Sequence, residues 1–190
     1  MELDSIPDIC NTCSFTGYRP SKLPVLNDKT AEGYKWLYNC LKEEMEELIE
    51  KGVCYFQTGM AQGIDLLCAE IVIELQLKYN IHLFAAIPCI NQTNGWSAED
   101  KIAYERILKS CSGITNITDE EYKTGCMAKR NRFLVETAQY ILAVYDGKKG
   151  GTMSTLNYAM KQGRTIIVLN PTDFTRRELI HGNDQGVLYV

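Results

Sequence analysis

The chain has 190 residues, 45% hydrophobic and 23% charged, with a net charge of −4. Such a composition suits one globular domain with a substantial core and speaks against a dedicated nucleic-acid binder, which carries a strong basic excess. A run of about 18 apolar residues, the mark of a membrane-spanning helix, is missing, and the opening MELDSIPDIC lacks a secretory pattern, so a cytoplasmic address is expected.

In chain order, residues 1–8 read as a loosely docked tail and 9–15, ICNTCSF, as a first strand. TGYRPSKLP breaks that strand with one glycine and two prolines. From about Thr30 to Lys51, apolar Tyr34, Leu37, Leu41, Met45 and Leu48 recur every three or four residues while glutamates fill the other face, which predicts an amphipathic helix stopped by Gly52. VCYFQ, 53–57, is a second strand, and TGMAQGID opens a second helix running to about Tyr79. HLFAAIP, 82–88, is a short apolar run of the kind that suits a strand buried on both faces. A helix over 98–110, a short strand over 113–117, a helix over about 125–137 and the strand YILAVYD at 140–146 follow. GKKGGT opens a last helix to about Gln162, and TIIVLN at 165–170 is the final predicted strand. The polar stretch from Pro171 onward carries no firm assignment and is grouped with residues 1–8 as a tail of a single domain.

Strict alternation of strand and helix predicts an α/β fold, a Rossmann-like three-layer α/β/α sandwich around a mostly parallel sheet. The eight cysteines, including the CxxC pair Cys10 and Cys13, show no second close pair for a zinc site and read as reduced, mostly buried thiols. The cluster of Lys123, Lys129, Arg130 and Arg132 reads first as a solvated helix face.

In open parallel sheets ligands bind beyond the C-terminal strand ends, where strand order reverses. This chain places TGYRP, TGMAQGID, PCINQTNGW and DGKKGGT there. Glycine exposes helix N-terminal N–H groups to an approaching phosphate, and Thr152, Ser154 and Thr155 add hydroxyls. Gly59 and Gly63 are expected to do the same on the earlier turn, with a tight structural connection as the alternative. Neither turn is a dinucleotide GxGxxG or a Walker A motif. Asp65 either compensates the dipole of its helix or bonds a ribose hydroxyl, and Asp146 either caps its own turn or does likewise. Arg19 offers a forked donor for phosphate. Trp96 either stacks on a base or covers the core edge. His82 and His181 show no catalytic partner pattern, and no metal site is expected.

TGYRP, TGMAQGIDLLCAE and RNRFLVETAQYILAVYDGKKGGTMSTLNYA, in that order, resemble the YpsA-type bacterial family. That family belongs to the SLOG superfamily of Rossmann-like domains, with the DNA-processing protein DprA and the LOG phosphoribohydrolases. The resemblance runs from about Cys13 to Pro171 and implies a pocket for a nucleotide or ADP-ribose-type ligand. Carried over by position, the ligand residues are Gly17 and Arg19, then Thr58, Gly59, Gly63 and Asp65, then Asn131 and Arg132, then Asp146, Gly150, Gly151, Thr152 and Thr155. The LOG enzymes carry a Glu three residues after their Gly-Thr, and here Thr155 stands in its place. Glycosidic cleavage needs a carboxylate against an oxocarbenium-like centre, and only Asp65 and Glu70 remain as catalytic candidates. The resemblance therefore implies nucleotide binding or sensing without clear catalytic machinery. Its alternatives are an N-glycosidic hydrolase or transferase acting on nucleotides and, against the acidic balance, a DprA-like binder of single-stranded DNA. The implied partners are a small-molecule nucleotide and a second copy of the chain.

Overall fold

The computed structural model describes residues 8–179. Its seven-stranded sheet runs β4 (Gly113–Asn116), β3 (His82–Ile87), β2 (Tyr55–Thr58), β1 (Thr12–Thr16), β5 (Tyr140–Val144), β6 (Thr165–Asn170), β7 (Thr175–Leu179). All neighbours pair in parallel except β6 and β7. The helices are α1 (Glu32–Glu50), α2 (Ile64–Leu75), α3 (Ala98–Ser110), α4 (Cys126–Glu136) and α5 (Gly151–Lys161). The fold is a Rossmann-like three-layer α/β/α sandwich, and every predicted strand and helix is present.

Alternation along the buried strands sorts the core into two faces. Leu142 and Val144 join Phe15, Phe56, Leu83 and Ile167 beneath α1, α2 and Ile107 of α3. Ile141, Ala143 and Tyr145 join Ile166 and Val168 beneath α4 and α5, against Val135, Leu156 and Ala159. On α1 the predicted stripe is the buried one, and Gly52, at φ +96°, ends the helix. Ser97 caps α3, its hydroxyl accepting from the Asp100 N–H at 3.1 Å. Among the described residues no helix is long and apolar enough to cross a membrane.

Two differences from the sequence-based expectation concern the chain ends. Strand β1 begins at Thr12, because Asp8 folds residues 8–12 into a turn through bonds to the Cys10 N–H and the Asn11 amide. The stretch after Pro171, grouped with the tail by its polarity, supplies the edge strand β7 through its described residues. The turn into β7 lacks the glycine that would mark it: Phe174 itself takes φ +58°, and Asp173 accepts from the Thr175 N–H at 3.0 Å.

Strand β7 is held to α1 by charge and by an aromatic contact. Arg176 makes a forked pair with Glu44, whose side chain is 6% exposed, and also reaches Glu47 and Glu178. Phe174 meets Trp36 edge to face at 4.9 Å. Arg176→Ala leaves the Glu44 carboxylate buried and without its cation. The expected cost is about 1–3 kcal/mol, read as a lower urea midpoint at unchanged slope. A shift within about 0.5 kcal/mol would show that β7 is not held by this pair.

Candidate functional site at the strand-order reversal

The chain lays β1, β2, β3 and β4 outward in one direction, then returns to place β5 on the other flank of β1. The loops leaving β1 and β5 therefore diverge to opposite faces and leave a crevice between them. One wall is Gly17–Pro20 and the other is Asp146–Gly151. The Tyr18 hydroxyl bridges them by donating to Asp146, and its ring lies 6.2 Å from that of Tyr145. Asp146 also takes the Lys148 N–H at 3.2 Å and its ammonium at 2.6 Å. Burial alone would raise the Asp146 carboxyl, but the bonds from Lys148 and Tyr18 outweigh it and hold the group below its ordinary range. Burial and the Asp146 contact push the Tyr18 phenol up, so it stays a donor.

Helix α5 opens onto this crevice. Its N-cap, Gly150, contributes no side-chain bond, and the space a Cβ would fill on Gly151 meets nothing within 4 Å. The first N–H groups of α5 have no intrahelical partner. Lys22 brings its ammonium within 3.1 Å of the corresponding position on Gly150. Thr155 donates to the Gly151 carbonyl at 2.9 Å and accepts from the Asn131 amide at 3.0 Å, so both side chains brace the start of α5.

The turn TGMAQGID is built around a buried ion pair. Asp65 Oδ2 accepts from Arg130 Nη1 at 2.8 Å, with side chains 7% and 6% exposed, and from the Ala61 N–H at 3.3 Å. A Cβ on Gly59 would overlap the Arg130 guanidinium, and one on Gly63, at φ +91°, would strike the Tyr18 carbonyl. Both glycines are thus demanded by protein groups packed where a Cβ would stand. Thr58 accepts from the Met60 N–H and donates to the Asp65 carbonyl, and Met60 sits at φ +57°. Gln92, from the loop after β3, donates to the carbonyls of Gly59 and Met60. Burial pushes the Asp65 carboxyl up, opposed by Arg130, the Ala61 N–H and the positive field of Arg19.

Not every predicted site residue reaches the crevice. Asp146, Gly150 and Gly151 lie on its walls with exposed Arg19, and Thr155 and Asn131 brace the start of α5, whereas Gly17 packs its α-carbon against Ile64 of α2 and Thr152 is buried in the first turn of α5. Arg132 does not reach the crevice: it is exposed and lies over the Tyr158 ring at 5.7 Å. The neighbouring Arg130, grouped by sequence with a solvated face, is 5% exposed and takes the inward position. Its signal was present, because Cys126, Arg130 and Leu134 fall four apart on the buried stripe of α4. Glu70 lies away from the edge, paired with Arg106 in a cleft of about 540 Å³ between α1, α2 and α3. Trp96 packs edge to face on Tyr104 at 5.6 Å, and the His82 ring stacks on Tyr55. His181 lies outside the described residues. Among the described residues no group of three or more His, Cys, Asp or Glu could hold a metal, and the CxxC pair splits, with Cys13 buried and Cys10 exposed.

The YpsA family model, described as the YspA SLOG family, matches residues 13–170, which span the sheet from β1 through β6 together with both crevice walls and the turn after β2. The chain belongs to the YpsA SLOG family. Relatives of this YpsA-family protein include a UPF0398 protein of Bacillus thuringiensis (strain Al Hakam) and one of Bacillus cereus (strain AH187). Each is 28% identical over 149 residues, covering 77% of this chain and 80% of the relative. In fold it is similar to DNA processing protein A from Helicobacter pylori, described for its single-stranded DNA binding mode (TM-score 0.58, 17% identity, 85% of this chain and 69% of that one). DprA from Streptococcus pneumoniae is similar at TM-score 0.57 and 15% identity over 83% of this chain, which spans about half (49%) of that protein's length.

The buried pair sets the stability expectations for the YpsA-family chain. Asp65→Ala strands the Arg130 charge and is expected to cost about 3–5 kcal/mol, whereas Arg132→Ala on the exposed face stays within about 0.5 kcal/mol, both by urea unfolding. Asp146 gives a pH signature with a definite sign. Its folded value is depressed, so its stabilisation is present above the ordinary value of 3.8 and is lost as pH falls through the lowered one. The stability gap between wild type and Asp146→Asn should be open near neutral pH and closed in acid. A gap that widens in acid would reverse this assignment.

Proposed function

We propose that this protein binds a nucleotide or nucleotide-derived ligand, of the nucleoside phosphate or ADP-ribose type, in the crevice at the strand-order reversal, and senses it without turnover. The observation that carries this is the open start of α5 at Gly151, with Lys22 beside Gly150 and Arg19 on the facing loop. Unpaired N–H groups at a helix start, a cation within reach and an absent Cβ together suit a phosphate. Lack of turnover is supported by the carboxylates. Asp65 is committed to Arg130, Glu70 is remote, and Thr155, standing at the LOG glutamate position, is spent on Gly151 and Asn131.

A thermal-shift screen against NAD, ADP-ribose, nucleoside monophosphates and cyclic dinucleotides tests the proposal. A ligand at 100 times its Kd adds about 2.7 kcal/mol, a rise of roughly 5–11 °C for a domain of this size. Arg19→Ala and Lys22→Ala, both on exposed side chains, should remove the rise while leaving the ligand-free Tm in place. A flat response across the panel overturns the proposal.

A second reading, single-stranded DNA binding, is favoured by one feature: Arg19, Lys22, Lys148 and Lys149 are exposed on the same sheet edge, and the Helicobacter pylori neighbour is described as binding such DNA. It predicts fluorescence anisotropy changes with a labelled oligonucleotide that fall steeply with salt. Binding of mononucleotides with no such response would decide against it.

A further inference from the structure

We infer that Cys89 and Cys126 form a modification site: an oxidant of the peroxide class joins their sulfurs in a disulfide that clamps the loop after β3 to the first turn of α4. This site stands apart from the nucleotide reading above and does not depend on it.

The placement of the two thiols carries it. The Cys89 and Cys126 side chains are in hydrogen-bond contact, and Cys89 also lies in the field of Arg130, one turn further along α4. Cys126 and Arg130 share the buried stripe of that helix, so Cys89 faces this stripe. Both thiols are buried. The chain beside them is tied a second time. The Ile90 N–H donates to the Glu120 carbonyl at 3.1 Å, and the Tyr122 N–H donates to Asn91 Oδ1 at 2.7 Å. A disulfide needs its sulfurs at about 2.05 Å, and two sulfurs already in contact close on each other over a short path. Cys13 and Cys68 are neighbours too, but both lie fully buried in the core beneath α1 and α2, away from any oxidant.

The cover over Cys89 and Cys126 is of a different kind. Residues 119–125 have neither helix nor strand and are exposed at every position. They run directly into Cys126 and are pinned to the Cys89 loop by the two bonds above. While they are in place, burial and the Cys126 contact push the Cys89 thiol up, so it keeps its proton, and only a thiolate attacks. Release of the segment opens both sulfurs to a small oxidant. One thiolate attacks a peroxide oxygen, becomes a sulfenic acid and releases hydroxide; the other attacks that sulfur and displaces a second hydroxide. The two thiol protons turn both hydroxides into water, so two thiols and one hydrogen peroxide give one disulfide and two waters. The bond joins the segments that grip TGMAQGID, since Gln92 holds the Met60 carbonyl from one and Arg130 holds Asp65 from the other. It also closes the long loop through α3 and β4, which restrains the unfolded chain.

The test uses the full chain, fully reduced and then treated with hydrogen peroxide under native conditions. Remaining thiols are alkylated in urea and the peptides mapped by mass spectrometry. The expected product is a cross-linked peptide joining Cys89 to Cys126, lighter by two hydrogens than its two parts and lost on treatment with dithiothreitol. Oxidised wild type should then unfold at a higher urea concentration than reduced wild type, and Cys126→Ser should show no such rise. Full alkylation of Cys89 and Cys126 after peroxide overturns the inference. So does pairing of either with another cysteine, within the chain or between chains, or the recovery of separate sulfinic acids. A cross-link that forms only when peroxide is added in urea overturns it as well, because the folded contact is then not what joins the sulfurs. A native cross-link with no rise in the urea midpoint removes the clamp. The deciding readout is on wild type, so a variant that does not fold leaves the test intact, and Cys89→Ala replaces Cys126→Ser in that event.

Discussion

Three separate parts of the chain meet at the Asp65–Arg130 pair: the first turn of α2, the inner stripe of α4 and the end of β2. Each ion has lost most of its water, a cost of several kcal/mol that the attraction must offset. Such a pair adds little net stability over an apolar substitute of the same shape, yet breaking it strands a charge in the interior. What it does supply is position. Gly59 has no Cβ because the guanidinium occupies that space, Met60 takes a left-handed backbone because Thr58 and Gln92 hold its amide and carbonyl, and Gly63 lies against the Tyr18 carbonyl. The β2 turn is thereby pressed onto the β1 loop, and the crevice acquires a rigid floor.

That floor changes the meaning of the glycines. The sequence offers two glycine-bearing turns that look alike, at 59–63 and 150–151. In the first, protein groups fill the space beside the α-carbons. In the second, the space at Gly151 is open. The proposed ligand reading therefore leans on the α5 start, while the β2 turn is packed against the protein's own groups.

The strands and helices were legible because their apolar patterns are clean: three to four on α1, continuous on β3 and β5. Strand β7 was not, because an edge strand rich in Arg and Glu has no buried face to write a pattern, and its turn uses Phe174 where glycine would be expected. Arg130 was half-legible, since its four-residue spacing to Cys126 and Leu134 marks it as inward. Gln92 was illegible, because its role depends on a backbone carbonyl 33 residues away. The charged side chains of β7 also blunt a sheet edge that would otherwise offer unpaired backbone to a second strand, while the opposite edge, β4, is only four residues long.

The strand order has a consequence for how the molecule is made. Of the described strands β1 leaves the ribosome first and lies mid-sheet, but its β5 neighbour and the Tyr18–Asp146 bridge come 128 residues later. At about 5–20 residues per second, roughly 6–25 s separate the synthesis of the two walls. Through that interval one long edge of β1 is open, and the nascent chain is at its most exposed to mispairing. The Tyr18–Asp146 bridge that joins the crevice walls cannot close until Asp146 has been made.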